Sequence, residues 1–157
     1  MVVGRLADRK EYFETTWPAP LSVNRIVACV DDTAAAAAAV TVAADWASAL
    51  SMSLTILTVA APAVTLSGDE RSDTLESCLE RLRDLVTDRS VDVSTHLQFD
   101  PLGPASGVSR YLSANPCGLL VVSTHARSGI SRLIGGTAAT NINAAAPVAT
   151  VVVAVSD

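Results

Sequence analysis

The sequence predicts an α/β protein built on a doubly wound parallel sheet. Apolar runs of strand length alternate with helix-like stretches from residue 25 to residue 155. Most of these runs lack the period-two alternation of half-exposed strands, as expected where helices cover both faces of a sheet. The chain has 157 residues, of which 50% are hydrophobic and 17% are charged. One domain with a substantial core is therefore expected.

The first half of the predicted domain contains two apolar strands, each followed by a helix. The strands are Arg25–Val30 and Leu54–Val59. Ala34–Leu50 is predicted to be the first helix because alanine has the highest helix propensity. Glu70–Arg89 has the clearest helical period, since apolar residues recur at i, i+3, i+4 and i+7. The predicted buried positions of the two helices are Ala39, Ala43, Trp46 and Leu50, and Leu75, Cys78, Leu79, Leu82, Leu85 and Val86.

The second half continues the alternation of strands and helices. Val91–Phe99 alternates apolar and polar residues, which predicts an edge strand. Pro104 can begin a third helix, which ends at Asn115-Pro116. An apolar run from 117 to 123 is the fourth strand. A polar loop and a short helix beginning at Gly136-Thr137 then lead to the last strand.

The last strand, Val148–Val155, has neither charge nor proline. At a sheet edge such a strand is a template for pairing with another chain, so a cover is expected. A homodimer joined through Val148–Val155 would provide one. The alternative cover is the N-terminal arm, residues 1–24, which is predicted to be flexible in part and to precede the domain at 25–157.

Composition excludes several classes of protein. The net charge is −5 and Lys10 is the only lysine, so the basic face of a nucleic-acid-binding protein is missing. The longest alanine-rich run, Ala34 to Ala44, is far too short to cross a bilayer, and no signal peptide is evident. A cytoplasmic protein is expected. The odd number of cysteines, Cys29, Cys78 and Cys117, favours reduced buried thiols, with a redox switch as the alternative.

The loop after the fourth strand is the best candidate for a binding site. Gly135-Gly136-Thr137 at a helix start offers backbone N–H groups and a hydroxyl to an anion, and Arg127 and Arg132 lie nearby in sequence. Asp31 ends the first strand beside this loop in a doubly wound sheet, where its carboxylate could accept hydrogen bonds from a ribose or an adenine amino group. His96 and His125 lack the neighbouring ligands of a metal site, so no metal is predicted.

Taken together, these segments resemble the universal stress protein family. Residues 117–153 align without gaps with the family's A-D-L-I-V-V-G-T-H-G-R-S-G pattern and the strand that follows it. R-I-V-A-C-V-D-D-T at 25–33 and L-T-I-L-T-V at 54–59 resemble the family's first two strands. The resemblance implies a five-stranded sheet in the order 3-2-1-4-5, with helices on both faces and dimerisation through the last strand.

ATP-binding members of that family carry Gly-x2-Gly-x9-Gly followed by Ser or Thr. By resemblance, the corresponding residues here are Ser123, Ala126, Gly136 and Thr137, with Arg127 beside them. The resemblance also places Asp31 beside the adenine and gives the backbone of Val59 a contact with it. The nucleotide-binding residues implied, if binding is retained, are Asp31, Val59, Ser123, Ala126, Arg127, Gly136 and Thr137.

Both leading glycines of that motif are missing, and Asp32 stands where the family usually has glycine. Glycine permits positive φ and close approach of the backbone to a ligand, so Ser123 and Ala126 predict weakened or lost ATP binding. The expected function is a homodimeric regulatory or binding module that is not an enzyme and acts with a protein partner still to be identified.

Two other functions are alternatives to that module. An ATP-binding universal stress protein that acts as a nucleotide-dependent sensor is the stronger of the two. A phospho-accepting receiver domain is the weaker, because it requires a lysine after the fifth strand and the chain has none there.

Overall fold

A computed structural model of the chain describes residues 2–5, 23–31, 35–60, 68–125 and 148–155. The described strands form one parallel sheet in the order β1-β6-β5-β2-β3-β4. The strands are β1 (Val2–Arg5), β2 (Arg25–Val30), β3 (Ser53–Ala60), β4 (Val93–Phe99), β5 (Leu119–His125) and β6 (Thr150–Val155). The described helices are α1 (Ala35–Leu50), α2 (Gly68–Asp84) and α3 (Pro104–Ala114), with a 3-10 turn at Thr87–Arg89.

The order of the last five strands confirms the predicted fold class. Numbered in chain order from β2, they run 3-2-1-4-5 across the sheet. The predicted edge strand, β4, lies at one end of the sheet. Because β2 has β3 on one side and β5 on the other, the chain reverses its direction of travel there, and this defines the switch point of the doubly wound fold.

The core forms two layers, one on each face of the sheet. On one face, Ile26, Ala28, Leu54 and Ile56 pack with α1 and α2 in a single apolar cluster. On the other face, Val27, Leu57 and Leu120 belong to a second cluster that contains Val108, Tyr111 and Leu112 of α3. Helices therefore cover both faces, which explains why these strands carry apolar runs without alternation.

The buried face of α1 differs from the predicted stripe. Ala39 and Ala43 are buried as expected, but Trp46 is only half-buried and Leu50 is 45% exposed. The buried residues are all small: Ala35, Ala36, Ala39, Val40, Ala43, Ala44 and Ala47. Since small side chains let a helix approach a sheet closely, the bulkier residues lie at the border of the contact.

The predicted stripe of α2 is buried or, at Leu75 and Cys78, half-buried, except near its end. Leu79, Leu82 and Val86 are buried, but Leu85 is 50% exposed. The helix ends at Asp84 rather than Arg89, and the Val86 amide donates to the Arg83 carbonyl at 3.1 Å. The Leu85 amide still donates to the Arg81 carbonyl at 3.1 Å, so the tighter turn begins at Val86, and Leu85 lies at the border of the apolar stripe.

A sixth strand lies beyond the five that were predicted. β1 pairs in parallel with β6, from Val2 opposite Val151 to Arg5 opposite Ala154. The N-terminal arm, one of the two covers left open by the sequence, thus lies along this edge over four residues. The homodimer through Val148–Val155 stays a prediction.

Candidate functional site

The carboxyl edge of the sheet contains a notch at the switch point. The last residue of β2, Val30, lies opposite Thr58, but β3 continues to Ala60. On the other side, the pairing of β2 with β5 ends at Cys29 opposite Val122, but β5 continues to His125 beside β6. The central strand therefore stops short of both neighbours. Open α/β sheets bind ligands in a crevice at this position.

The peptide carbonyl of Val59 faces this notch. The Asp100 amide donates to the Ala60 carbonyl at 3.0 Å, so Ala60 directs its peptide groups toward β4. Successive residues of a strand direct their peptide groups to opposite sides, and Val59 therefore faces β2, just beyond the end of that strand. A carbonyl here can accept a hydrogen bond from an adenine amino group, the contact that the family resemblance implied for Val59.

Asp31 follows β2 directly and is exposed at the base of the notch. Burial raises the pKa of the Cys29 thiol to about 12, and the negative charge of Asp31 contributes to that rise. Burial likewise raises the pKa of the Cys117 thiol to about 11. Neither thiol ionises at neutral pH, so neither is activated for redox chemistry. What Asp31 offers to the notch is a carboxylate acceptor.

Ser123 occupies an ordinary strand position on the far side of the notch. It pairs with Val153 of β6 and is half-buried. Positive φ among the described non-glycine residues occurs at Ser51 and Ser90, not at Ser123. What the missing glycine removes here is therefore space for close approach of a ligand, not left-handed backbone freedom.

The turn between β4 and α3 supports the notch from the side of β3. Asp100 is fully buried; its Oδ1 accepts the Leu102 amide at 2.8 Å, and its Oδ2 lies 3.3 Å from Nη2 of Arg110. Gly103 has φ of 94° just before Pro104 at the helix start, a conformation that glycine adopts without strain.

Gly107 brings α3 into close contact with the end of β3. A Cβ built at this position would contact Val59 Cγ1 and lie 3.1 Å from the Asp100 Cβ. Asp100 is also the carboxylate that follows the third strand of the domain, where a receiver domain would carry its phospho-acceptor, but its complete burial is unsuited to that role. The available signal was the D-P-L-G-P spacing, which is typical of an Asx turn leading into a helix.

The structure brings Asp31, Val59 and Ser123 to three neighbouring strand ends around one notch. The other predicted positions, Asp32, Ala126, Arg127, Gly136 and Thr137, lie outside the described residues. Within the described ranges, no group of three or more His, Cys, Asp or Glu side chains could hold a metal ion.

These features define a doubly wound α/β protein with a ligand crevice at its switch point. The family model of the universal stress protein family matches residues 22–154. The chain therefore belongs to the universal stress protein family, as the sequence motifs indicated. No match was found among curated proteins.

Solved structures of the same family share the fold at low sequence identity. A universal stress protein in complex with cAMP is 18% identical, with a TM-score of 0.69 over 82% of this chain and 95% of the other. The universal stress protein from Archaeoglobus fulgidus in complex with dAMP is 14% identical, with a TM-score of 0.66 over 85% and 98%. UspA from Lactobacillus plantarum is 20% identical, with a TM-score of 0.67 over 83% and 96%.

None of the described helices is both long enough and apolar enough to cross a membrane.

Proposed function

We propose that this universal stress protein is a regulatory or binding module, homodimeric through β6 and without catalytic activity, whose ATP binding is weakened. Two nucleotide complexes among its structural neighbours, with cAMP and dAMP, direct attention to the notch as the place for an adenine nucleotide. The observation that carries the proposal is the contrast between the two sides of this notch.

The side of the notch nearest β3 fits an adenine nucleoside. Asp31 is exposed there, the Val59 carbonyl faces the gap, and the Thr58 hydroxyl donates to the Val30 carbonyl at 3.3 Å and ties the two strand ends together. A carboxylate and a backbone carbonyl can both accept hydrogen bonds from the donors of a base or a ribose.

The side of the notch nearest β5 fits a triphosphate less well. Ser123 supplies a side chain, and Ala126 in the segment that follows supplies another, where the family motif has glycine. A loss of about 1.4 kcal/mol is tenfold in affinity, so one such obstruction moves a micromolar dissociation constant to tens of micromolar and two move it further.

The second candidate function is an ATP-binding sensor. The exposed Asp31 and the orientation of Val59 favour it, because both adenine-side acceptors are present. Mass spectrometry of the freshly purified protein distinguishes the two functions. Adenine nucleotide retained in stoichiometric amount supports the sensor, whereas its absence supports the weakened module.

Calorimetric titration with ATP tests the proposal. We expect a dissociation constant of about tens to hundreds of micromolar for the natural chain, and binding at least about tenfold tighter for the double variant Ser123→Gly/Ala126→Gly. In that double variant, adding Asp31→Ala should weaken ATP binding by about tenfold. Adding Asp92→Ala instead should change the ATP affinity little, since Asp92 is exposed just before β4, at the amino ends of the strands and away from the notch. A low-micromolar constant for the natural chain would refute the weakened site.

A further inference from the structure

The outer edge of β6 is well suited to pair with another strand, but β1 covers only part of it. β6 has six residues, T-V-V-V-A-V, with no charge and no proline, and β5 pairs with all six. On its other side β1 covers only the four residues from Val151 to Ala154. β1 itself is short and contains Gly4 and Arg5, features that make an edge strand a poor template for further pairing.

The direction of the peptide groups shows which residues of β1 form this cover. The Leu120 amide donates to the Ala149 carbonyl at 2.8 Å, so Ala149 faces β5. By alternation, Val152 and Ala154 direct their amide and carbonyl groups toward β1. In a parallel ladder these groups bond to the residues on either side of their Cα partners, which for Val152 are Val2 and Gly4.

We propose that the β6 edge is a homodimerisation surface which β1 covers within the same chain, so that β1 and the β6 strand of a second copy compete for it. This inference rests on the homodimer proposed above and adds a way in which β1 regulates its formation. When β1 is released, the outward peptide groups of Val152 and Ala154 lose their partners, and an identical uncharged strand satisfies them best. A two-fold contact places the two β6 strands antiparallel and joins two sheets into one.

This competition predicts how far β1 raises the apparent dissociation constant of the dimer. Both chains must be open to pair, so the apparent dimer dissociation constant is raised by the square of the covered-to-open ratio when β1 is mostly bound. If β1 covers the edge in about nine molecules of ten, the constant is raised about a hundredfold.

Two proline substitutions in the full chain test this. Gly4→Pro removes the amide that faces the Val152 carbonyl, whereas Val3→Pro removes an amide that faces away from β6, a position where edge strands tolerate proline. By sedimentation over a concentration series, we expect Gly4→Pro to lower the apparent dimer dissociation constant by about a hundredfold. Val3→Pro should stay within about threefold of the natural chain.

Hydrogen exchange at the outward amides of Val152 and Ala154 locates the contact. In the natural chain these two amides should be protected at all concentrations. In Gly4→Pro they should exchange faster at low concentration and regain protection as the dimer forms, with circular dichroism showing that the variant is folded. If all three proteins remain monomeric, or if a dimer forms without protecting these two amides, the β6 homodimer itself fails. If all three dimerise equally and protect them, the dimer stands and the competing cover fails.

Discussion

Val59 depends on three close neighbours for its position in the candidate site. The Asp100 amide donates to the Ala60 carbonyl, and by strand alternation the Val59 carbonyl therefore points toward β2. The Val59 side chain lies against the backbone of Gly107. The adjacent Thr58 hydroxyl holds the end of β2 at 3.3 Å. The Val59 carbonyl that would accept a hydrogen bond from an adenine base therefore belongs to well-packed backbone.

Gly107→Ala should destabilise the protein by about 1–3 kcal/mol, because the added Cβ overlaps Val59 Cγ1 and approaches Asp100. Urea unfolding measures the change. The matched control is Ser113→Ala, an exposed position on the same helix, which should stay within about 0.5 kcal/mol. Equal stability of the two variants would show that α3 does not pack against Val59 as closely as described.

Cys29 should make the stability of the protein fall at alkaline pH. Its pKa is raised from 9.0 to about 12, so the folded state keeps a proton that the unfolded chain loses above pH 9. The contribution is complete below pH 9 and decreases by about 1.4 kcal/mol per pH unit as pH rises toward 12. Unfolding measured from pH 8 to 11 should show a shallower loss for Cys29→Ala. Identical slopes in the two proteins would contradict the raised pKa.

At the scale of elements, the end of α2 has a leucine inside the core and, three residues later, another leucine outside it. Leu82 is 8% exposed and belongs to the cluster under α1 and α2, whereas Leu85 is 50% exposed after the helix has ended. The same substitution at the two sites therefore separates burial from sequence pattern.

Leu82→Ala should cost about 2–5 kcal/mol of unfolding free energy, because it leaves a cavity in the core. Leu85→Ala should cost less than about 1 kcal/mol. Thermal or urea unfolding of both variants provides the comparison. A larger loss at Leu85 would mean that α2 continues to Arg89, as its apolar period alone suggested.

The strands were predictable because burial on both faces of the sheet requires a local run of apolar residues. Arg25–Val30 has the predicted bounds, and β3 extends the predicted strand by one residue at each end. The end of α2 was not predictable, since Leu85 and Val86 both fit the helical period although only Val86 is buried. β1 was missed as a strand because four residues carry too little pattern, and their pairing depends on β6 at the other end of the chain.

The residues of the candidate site likewise include some that the sequence predicted and some that it did not. Asp31 and Val59 were identified through family motifs that lie at strand ends, and the notch places both beside the end of β2. Asp100 and Gly107 were not given their supporting role, because the contact of α3 with Val59 depends on tertiary packing between distant segments.

At the scale of the whole molecule, the two sides of the switch-point notch have different chemistry. The side formed by β2 and β3 carries the acceptors Asp31 and Val59, and the side formed by β5 begins with Ser123 in place of glycine. A ligand that uses only the first side should bind about as well as one that also reaches for the second. At the far end of the same sheet, β1 covers part of the β6 edge, the surface proposed above for a second copy of the chain.

The most direct measurement of this asymmetry is a calorimetric comparison of adenosine with ATP, carried out on the natural chain and on Ser123→Gly/Ala126→Gly. We predict that ATP binds the natural chain within about tenfold of adenosine, and that the double variant gains at least about tenfold for ATP while adenosine is unchanged. ATP binding about a hundredfold tighter than adenosine in the natural chain, or no gain for ATP in the variant, would contradict a notch weakened on its phosphate side.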